Sequence, residues 1–255
     1  MPFTTTLSES ANKILQSKIY YPDVNKLNDE EYALVRKKSF GASDVAALLG
    51  VAYKTTYAEL LENKKNPELT EEERAIGKLP AVRKGKDLEP LILQKFCEFT
   101  GFKAEKPTDM YIVIEGRKDL TTNLDGITTG GRPVELKYVT TFGHKNWNTD
   151  GTGWMDPVLD KPKEGTPIKE HIMEMANHYG IPAYYYTQVQ TQLMCLQEKV
   201  GYLCALFEKD WELRIYTIDA DPFVQTRVSI ESLKAHMRAF PHLYEDEGTG
   251  CNRDF

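Results

Sequence analysis

The sequence predicts an α/β fold, a central mixed β-sheet flanked by helices, and three observations over its 255 residues carry that expectation. Apolar residues recur at helical spacing up to about residue 101. Three β-branched or aromatic runs, separated by Gly-rich and charged turns, follow between 110 and 140. Beyond residue 168, helical patterns enclose a pair of alternating strand-like runs. The expected organisation is one domain, with a helical part over about 1–101, a sheet-containing core over about 102–240 and an acidic tail over 241–255.

The helices come first. Segments 8–19 (SESANKILQSKI), 29–40 (DEEYALVRKKSF), 43–50 (SDVAALLG) and 55–65 (TTYAELLENKK) each open at a residue whose side chain accepts a backbone N–H: Ser8, Asn28 or Asp29, Ser43, and Thr55 or Thr56. Gly50 follows the third segment, where a left-handed C-cap is expected. A charged helix over 70–79 should be interrupted by Pro80, which lacks an N–H and clashes with the preceding turn. A further helix over 85–101 sets Leu88, Leu91, Ile92, Lys95 and Phe99 at helical spacing, with Pro90 in its first turn and Gly101 at its end.

The strands come next. MYIVIE (110–115), LTTNLDGIT (120–128) and PVELKYVT (133–140) are rich in residues that suit a pleated sheet. Residues 143–167 carry Gly and Pro punctuation without a period and read as a long loop, bearing Trp147 and Trp154, in contact with something. Helices over 168–178 and 183–197 follow, then strand-like 200–208 and 211–218, then an amphipathic helix over 223–240.

Composition excludes some classes of protein. With 41% hydrophobic and 27% charged residues the chain has apolar surface to bury, which rules out intrinsic disorder. No uncharged run approaches the roughly 18 apolar residues of a membrane span. The start, MPFTTTLSES, lacks the basic and apolar regions of a secretory signal, and Cys97, Cys195, Cys204 and Cys251 show no CxxC spacing, so an intracellular protein with reduced thiols is expected. The net charge of −6 argues against a protein that coats nucleic acid. It leaves room for a nuclease, whose metal site itself demands carboxylates, and Arg36–Lys38 and the acid-free stretch 74–86 supply local positive charge.

The chemistry centres on Asp125 in TNLDGI and on Glu135 and Lys137 in VELK. Strand residues i and i+2 point to one face, so Glu135 and Lys137 project together. If the two runs form a hairpin with a three-residue loop at Thr129, Gly130 and Gly131, residues pair when their numbers sum to 260. Asp125 then lies across from Glu135, at about 5 Å between Cβ atoms. Two carboxylates so close repel unless a cation sits between them. Oxygen ligands without His or Cys select Mg²⁺ or Mn²⁺, and a neighbouring lysine can orient the attacking water or neutralise charge on a phosphoryl oxygen. Glu-x-Lys alone is weak, since it recurs at Glu62 and Lys64 in a charged helix. Its context adds Glu89 upstream beside the basic run, and downstream a helix with Gln188 and Gln192 on one face near Tyr184 and Tyr185.

Five motifs occur in order: GASD at 41–44, LEP at 88–90, LDG at 124–126, ELK at 135–137 and YYTQVQ at 185–190. In this order the sequence resembles the YqaJ-like viral recombinase family, the lambda-type alkaline exonucleases of the PD-(D/E)xK nuclease superfamily, from about Arg36 to Ile218. The resemblance implies a restriction-endonuclease-like core. It implies that Asp125, Glu135 and the Leu136 carbonyl bind a first Mg²⁺ (or Mn²⁺), that Asp125 and Glu89 hold a second, and that Lys137 with Gln188 positions the water. Arg36 and Ser43 would grip a 5′-phosphate. The implied activity is 5′-to-3′ digestion of one strand from double-stranded DNA ends, leaving 3′ overhangs, by a homotrimer working with a single-strand annealing protein, in the host cytoplasm if the gene is a phage's. A site-specific or repair endonuclease of the same superfamily and a non-catalytic DNA-end or partner-binding module are the alternatives. His171, Glu174 and His178 fall at helical spacing but not as HExxH, and Gly151-Thr152-Gly153 lacks the flanking strand and helix of a phosphate loop.

Overall fold

A computed structural model describes residues 19–20, 33–34, 36–66, 68–107, 112–113, 117, 119–147 and 165–244. Most of the predicted 8–19 helix, loop residues 148–164 with Trp154, and the tail beyond 244 lie outside these residues. In chain order the elements are β1 (Ile19–Tyr20), β2 (Phe40–Gly41), α1 (Val45–Leu48), α2 (Tyr57–Lys65), α3 (Glu71–Ile76) and α4 (Pro80–Thr100). Then come β3 (Ala104–Glu105), β4 (Ile112–Val113), β5 (Leu120–Thr122), β6 (Gly126–Thr128) and β7 (Pro133–Val139). The last group is a 3₁₀ turn (His144–Asn146), α5 (Ile168–Tyr179), α6 (Ala183–Leu196), β8 (Val200–Phe207), β9 (Leu213–Asp219) and α7 (Pro222–Ala239).

The main sheet has five strands in the order β3-β6-β7-β8-β9, and only β7 and β8 pair in parallel. A smaller sheet runs β1-β4-β5-β2, with β2 and β5 parallel. The expected mixed sheet flanked by helices is present. Side-chain alternation divides the core. Val134 and Leu136 of β7 with Tyr202, Cys204 and Leu206 of β8 pack against Ile92, Leu93 and Phe96 of α4. Leu203, Ala205 and Phe207, on the opposite face, join the larger cluster built with α1, α5, α6 and α7.

Local chemistry explains most boundaries and corrects several expected ones. Thr56 and Thr70 start α2 and α3 with reciprocal capping boxes to Glu59 and Glu73. Helix α3 stops at Ile76, short of Pro80, but Pro80 then opens the next helix, because its fixed φ and missing N–H suit a first helical position. Helix α4 therefore starts before residue 85 and carries Pro90 in its interior, where packing of Ile92, Leu93 and Phe96 offsets the lost hydrogen bond. Ser43 is not an N-cap; Asp44 occupies that position, and its carboxylate accepts from Gly41 N at 2.9 Å. Ile19–Tyr20 and Phe40–Gly41, expected at helix ends, are strands held by pairing to β4 and β5. Trp147, expected in the long loop, is 5% exposed and packed on Tyr185, Phe207 and Tyr216, and so belongs to the core.

One glycine sits at a close approach between a helix and the sheet. A Cβ on Gly126 would lie 2.9 Å from Leu93 Cδ1 and 3.3 Å from Val134 Cβ, so α4 presses on β6 at the residue after Asp125. Gly126→Ala should lower stability by about 1–3 kcal/mol, as overpacking does. The check is the midpoint of denaturant unfolding at unchanged slope. Among the described residues, no helix is long and apolar enough to cross a membrane.

Candidate active site

The hairpin β6–β7 has the register that the turn length dictates. Gly126 pairs with Val134 and Ile127 with Pro133, and Gly131 takes φ 88° in the three-residue turn. Continuing one pair outward, Asp125 falls opposite Glu135, but it sits in a break: β5 ends at Thr122 in the small sheet and β6 begins at Gly126 in the large one. Freed from the ladder, the Asp125 side chain turns to β7 and its Oδ2 accepts from Leu136 N at 3.0 Å. In a strand a residue's N–H and C=O face the same side. The Leu136 carbonyl therefore points past the end of β6, beside Asp125.

Glu135 and Lys137 project from the other face, toward α6. The Lys137 ammonium donates to Glu135 Oε1, lies 3.9 Å from Asp125 Oδ2, and sits 5.2 Å from the Tyr185 ring centroid. Helix α6 completes the grip. Gln188 Nε2 donates to Glu135 Oε1 at 2.6 Å, and Gln192 Nε2, one turn on, donates to Oε2 at 2.5 Å. Both oxygens of a carboxylate whose side chain is 2% exposed are thus held. Burial first, then the Asp125 charge, pushes Glu135 up to about 7 despite these donors. Burial alone would lower Lys137, but Glu135 and Asp125 outweigh it and keep the ammonium above its ordinary range and protonated.

A divalent cation fits here on the chemistry of the donors. Asp125, Glu135 and the Leu136 carbonyl form an all-oxygen set, and a second positive charge would restore ionisation to a carboxyl that its surroundings push toward neutrality. The Gln192 Oε1, buried without a hydrogen-bond partner, is a further acceptor beside the pair. Glu89 is not gathered with them. It rises from α4, whose Ile92 and Leu93 pack on the Leu136 face of the sheet, and its carboxylate is paired with Lys106 at 2.6 Å. Among the described residues, no three His, Cys, Asp or Glu side chains form a metal-holding group. That includes His171, Glu174 and His178, since His171 is buried 2.7 Å from Asp221 Oδ2.

Arg36 and Ser43 meet each other: Arg36 Nη2 donates to Ser43 Oγ at 3.3 Å on an exposed surface. Gly41 of β2 pairs in parallel with Thr121 of β5, so the chain leaves both strands on the same side, toward Ser43 in one case and Asp125 in the other. Lys64 braces this corner, 2.7 Å from Asp44 Oδ2 and 3.0 Å from the Arg36 carbonyl.

A model of the YqaJ-like viral recombinase domain matches residues 31–199, which is 169 of the 255 residues. The chain belongs to the YqaJ-like viral recombinase family. No curated protein matches it. Among solved structures it is similar to the alkaline exonuclease LHK-Exo from Laribacter hongkongensis, with 17% identity and a TM-score of 0.54 over 84% of this chain and 96% of that one. LHK-Exo in complex with dAMP gives 16% identity and a TM-score of 0.56, covering 84% and 94%. At such identity the likeness is one of fold, and that fold is restriction-endonuclease-like. The YqaJ-like segment contains Arg36, Ser43, Glu89, Asp125, Glu135, Leu136, Lys137 and Gln188, and it also contains Gln192. Gln192 is the residue whose part in the site the motifs did not single out. Its spacing of four from Gln188 was the available signal.

Proposed function

We propose that this YqaJ-like chain is a metal-dependent 5′-to-3′ exonuclease that digests one strand of duplex DNA from its end and leaves a 3′ single-stranded overhang. The observation that carries the reading is the convergence of Asp125, Glu135 and Lys137 where the chain crosses from β5 to β6. Asp125, Glu135 and the Leu136 carbonyl would hold one Mg²⁺ or Mn²⁺, and Asp125 with Glu89, released from Lys106, a second. When bound, these ions supply charge that activates water and neutralises the phosphoryl oxygens and the leaving 3′-oxygen. Gln188 and Gln192 fix the Glu135 carboxylate so that it does not reorient during turnover. The protonated Lys137 would hydrogen-bond to the attacking water's oxygen or to a non-bridging oxygen while the water's oxygen bonds to phosphorus and the P–O3′ bond breaks in line, the water's proton passing to solvent and the 3′-oxygen taking one up. Arg36 and Ser43 donate to the 5′-phosphate of the digested strand. The overhang is the substrate expected by a single-strand annealing protein, and a homotrimeric ring would keep hold of the duplex inside the cell.

The test is incubation with Mg²⁺ of linear duplex labelled at one 5′ end, with and without the terminal phosphate, beside covalently closed circles. Label released from phosphorylated linear DNA with circles spared supports the reading; cut circles would replace it with an endonuclease. Arg36→Ala should lose about tenfold or more of the preference for phosphorylated over unphosphorylated ends, the size of one charge-assisted hydrogen bond. Initial rates on the two substrates give the ratio directly.

A further inference from the structure

Strand β7 carries Lys137 and ends at Val139, and the turn that follows it displays Phe142, which is 90% exposed. The turn that leaves this aromatic ring bare is braced by hydrogen bonds. Gly143 N and His144 N both donate to Thr140 O, at 2.8 and 3.1 Å, and the 3₁₀ turn that follows ends in the buried Trp147. Glu208, at the end of β8, ties the turn down from the other side. Its Oε2 accepts from Thr141 N and Oγ1 at 3.0 and 3.2 Å, and its Oε1 accepts from Tyr138 at 2.5 Å and from Lys84 at 2.7 Å. Lys84 first, then Tyr138 and Thr141, holds the Glu208 carboxyl down to about 2, so the staple stays charged at neutral pH.

Glu208 also opens the β8–β9 turn, and that turn displays a second bare aromatic. Trp211 is 57% exposed and takes φ 57°, a left-handed backbone that a bulky L residue rarely adopts. The turn is closed by Phe207 N donating to Glu212 O at 2.9 Å and Glu212 N donating to Asp210 Oδ1 at 3.0 Å. Two stapled turns at the same end of β7 and β8 therefore hold one exposed ring each. Lys145 and Lys209, both exposed, lie beside them, together with the exposed Asp210 and with Glu212, which Arg214 pairs at 2.7 Å. Ring faces with lysines alongside suit unpaired bases on a phosphate backbone, whereas bases within a duplex are already stacked and present no face.

We propose that Phe142 and Trp211 form a stacking platform for single-stranded DNA, which receives the undigested strand as it leaves the active site. The assignment of that strand rests on the exonuclease reading above. The platform itself rests on the two turns.

The experiment measures binding of the full chain, in EDTA, to a fluorescent single-stranded oligonucleotide and to a blunt duplex of the same length. Phe142→Ala and Trp211→Gly should each weaken single-strand binding by about tenfold, the usual loss for one stacked base, and duplex binding by less than twofold. Glycine at 211 removes the ring and relaxes the left-handed backbone, so an unchanged or raised Tm shows that lost binding is not lost folding. Phe142→Tyr should retain wild-type affinity. Single-strand affinity within twofold of wild type in both variants overturns the platform, as does an equal loss on duplex or a loss in Phe142→Tyr as large as in Phe142→Ala. End-dependent cleavage with Mg²⁺, run on the same preparations, reports separately on the exonuclease reading. Absence of cleavage in the wild type would remove the exiting strand but not the single-strand site.

Discussion

Lys137→Ala should lower the rate of DNA cleavage by about 10³-fold or more while leaving DNA binding within a fewfold of wild type. Loss of a single positioned proton donor or charge-stabilising group in a water-excluded site has effects of about 10²–10⁴. Lys137 stands at the upper end because it is the ammonium between Glu135 and Asp125 in a site that burial already makes unfavourable for charge. Without it the Glu135 carboxyl, at about 7 with the lysine present, moves higher still, and more of it is protonated at neutral pH. In the metal-free site this weakens Glu135 as a ligand for an incoming cation, beside the loss of the ammonium itself. Binding should persist, since contacts with the phosphate backbone are spread over many residues. Single-turnover cleavage with Mg²⁺ and anisotropy in EDTA separate the two quantities, and normal turnover would remove Lys137 from the mechanism.

Asp119→Ala should destabilise the fold by about 3–5 kcal/mol without touching the chemistry. Asp119 is 1% exposed. Its Oδ1 accepts from Arg117 Nε at 2.6 Å, and its Oδ2 accepts from Arg117 Nη2 at 2.5 Å and Ser232 Oγ at 2.8 Å. Arg117 also donates to Ser229 Oγ at 2.7 Å, so this cluster fastens the start of β5 to α7. Alanine would leave a guanidinium and a buried hydroxyl facing one another with no anion. At about 2–4 °C per kcal/mol for a chain of this size, Tm should fall by about 6–20 °C. Cleavage per folded molecule, measured well below that temperature, should be unchanged.

How much of this was legible in the sequence depended on how local the cause was. The pairing of Gly126 with Val134 followed from the length of the turn Thr129–Gly131, because a hairpin's register is set within a few residues. The shared face of Glu135 and Lys137 followed from strand alternation, and that of Gln188 and Gln192 from helical spacing. Where those glutamines would land did not, since their target lies 53 and 57 residues upstream. Strands β1 and β2 are two residues long and exist through pairing with β4 and β5, so no periodicity could reveal them. Pro80 and Pro90 misled because proline is compatible with both the end and the start of a helix, and only packing against the sheet decides. Trp147 looked like a loop residue until Tyr185, Phe207 and Tyr216, all distant in sequence, were seen to cover it. Glu89 is on the expected helix, yet its orientation depends on which face of the sheet that helix covers.

The parallel pairing of β7 with β8 has a bearing on the protein's synthesis. Val134 is matched with Tyr202, 68 residues later, with α5 and α6 made in between. Pairings of such separation form slowly, since the intervening chain must close first. At about 5–20 residues per second on a ribosome, β7 emerges several seconds before its neighbour. During that interval Glu135 and Lys137 have neither the glutamines of α6 nor the strand that fixes their backbone. The Glu135–Lys137 pair is therefore unsupported until α6 and β8 have been made, and a chain broken off before α6 retains the acidic motif without the glutamines that hold Glu135.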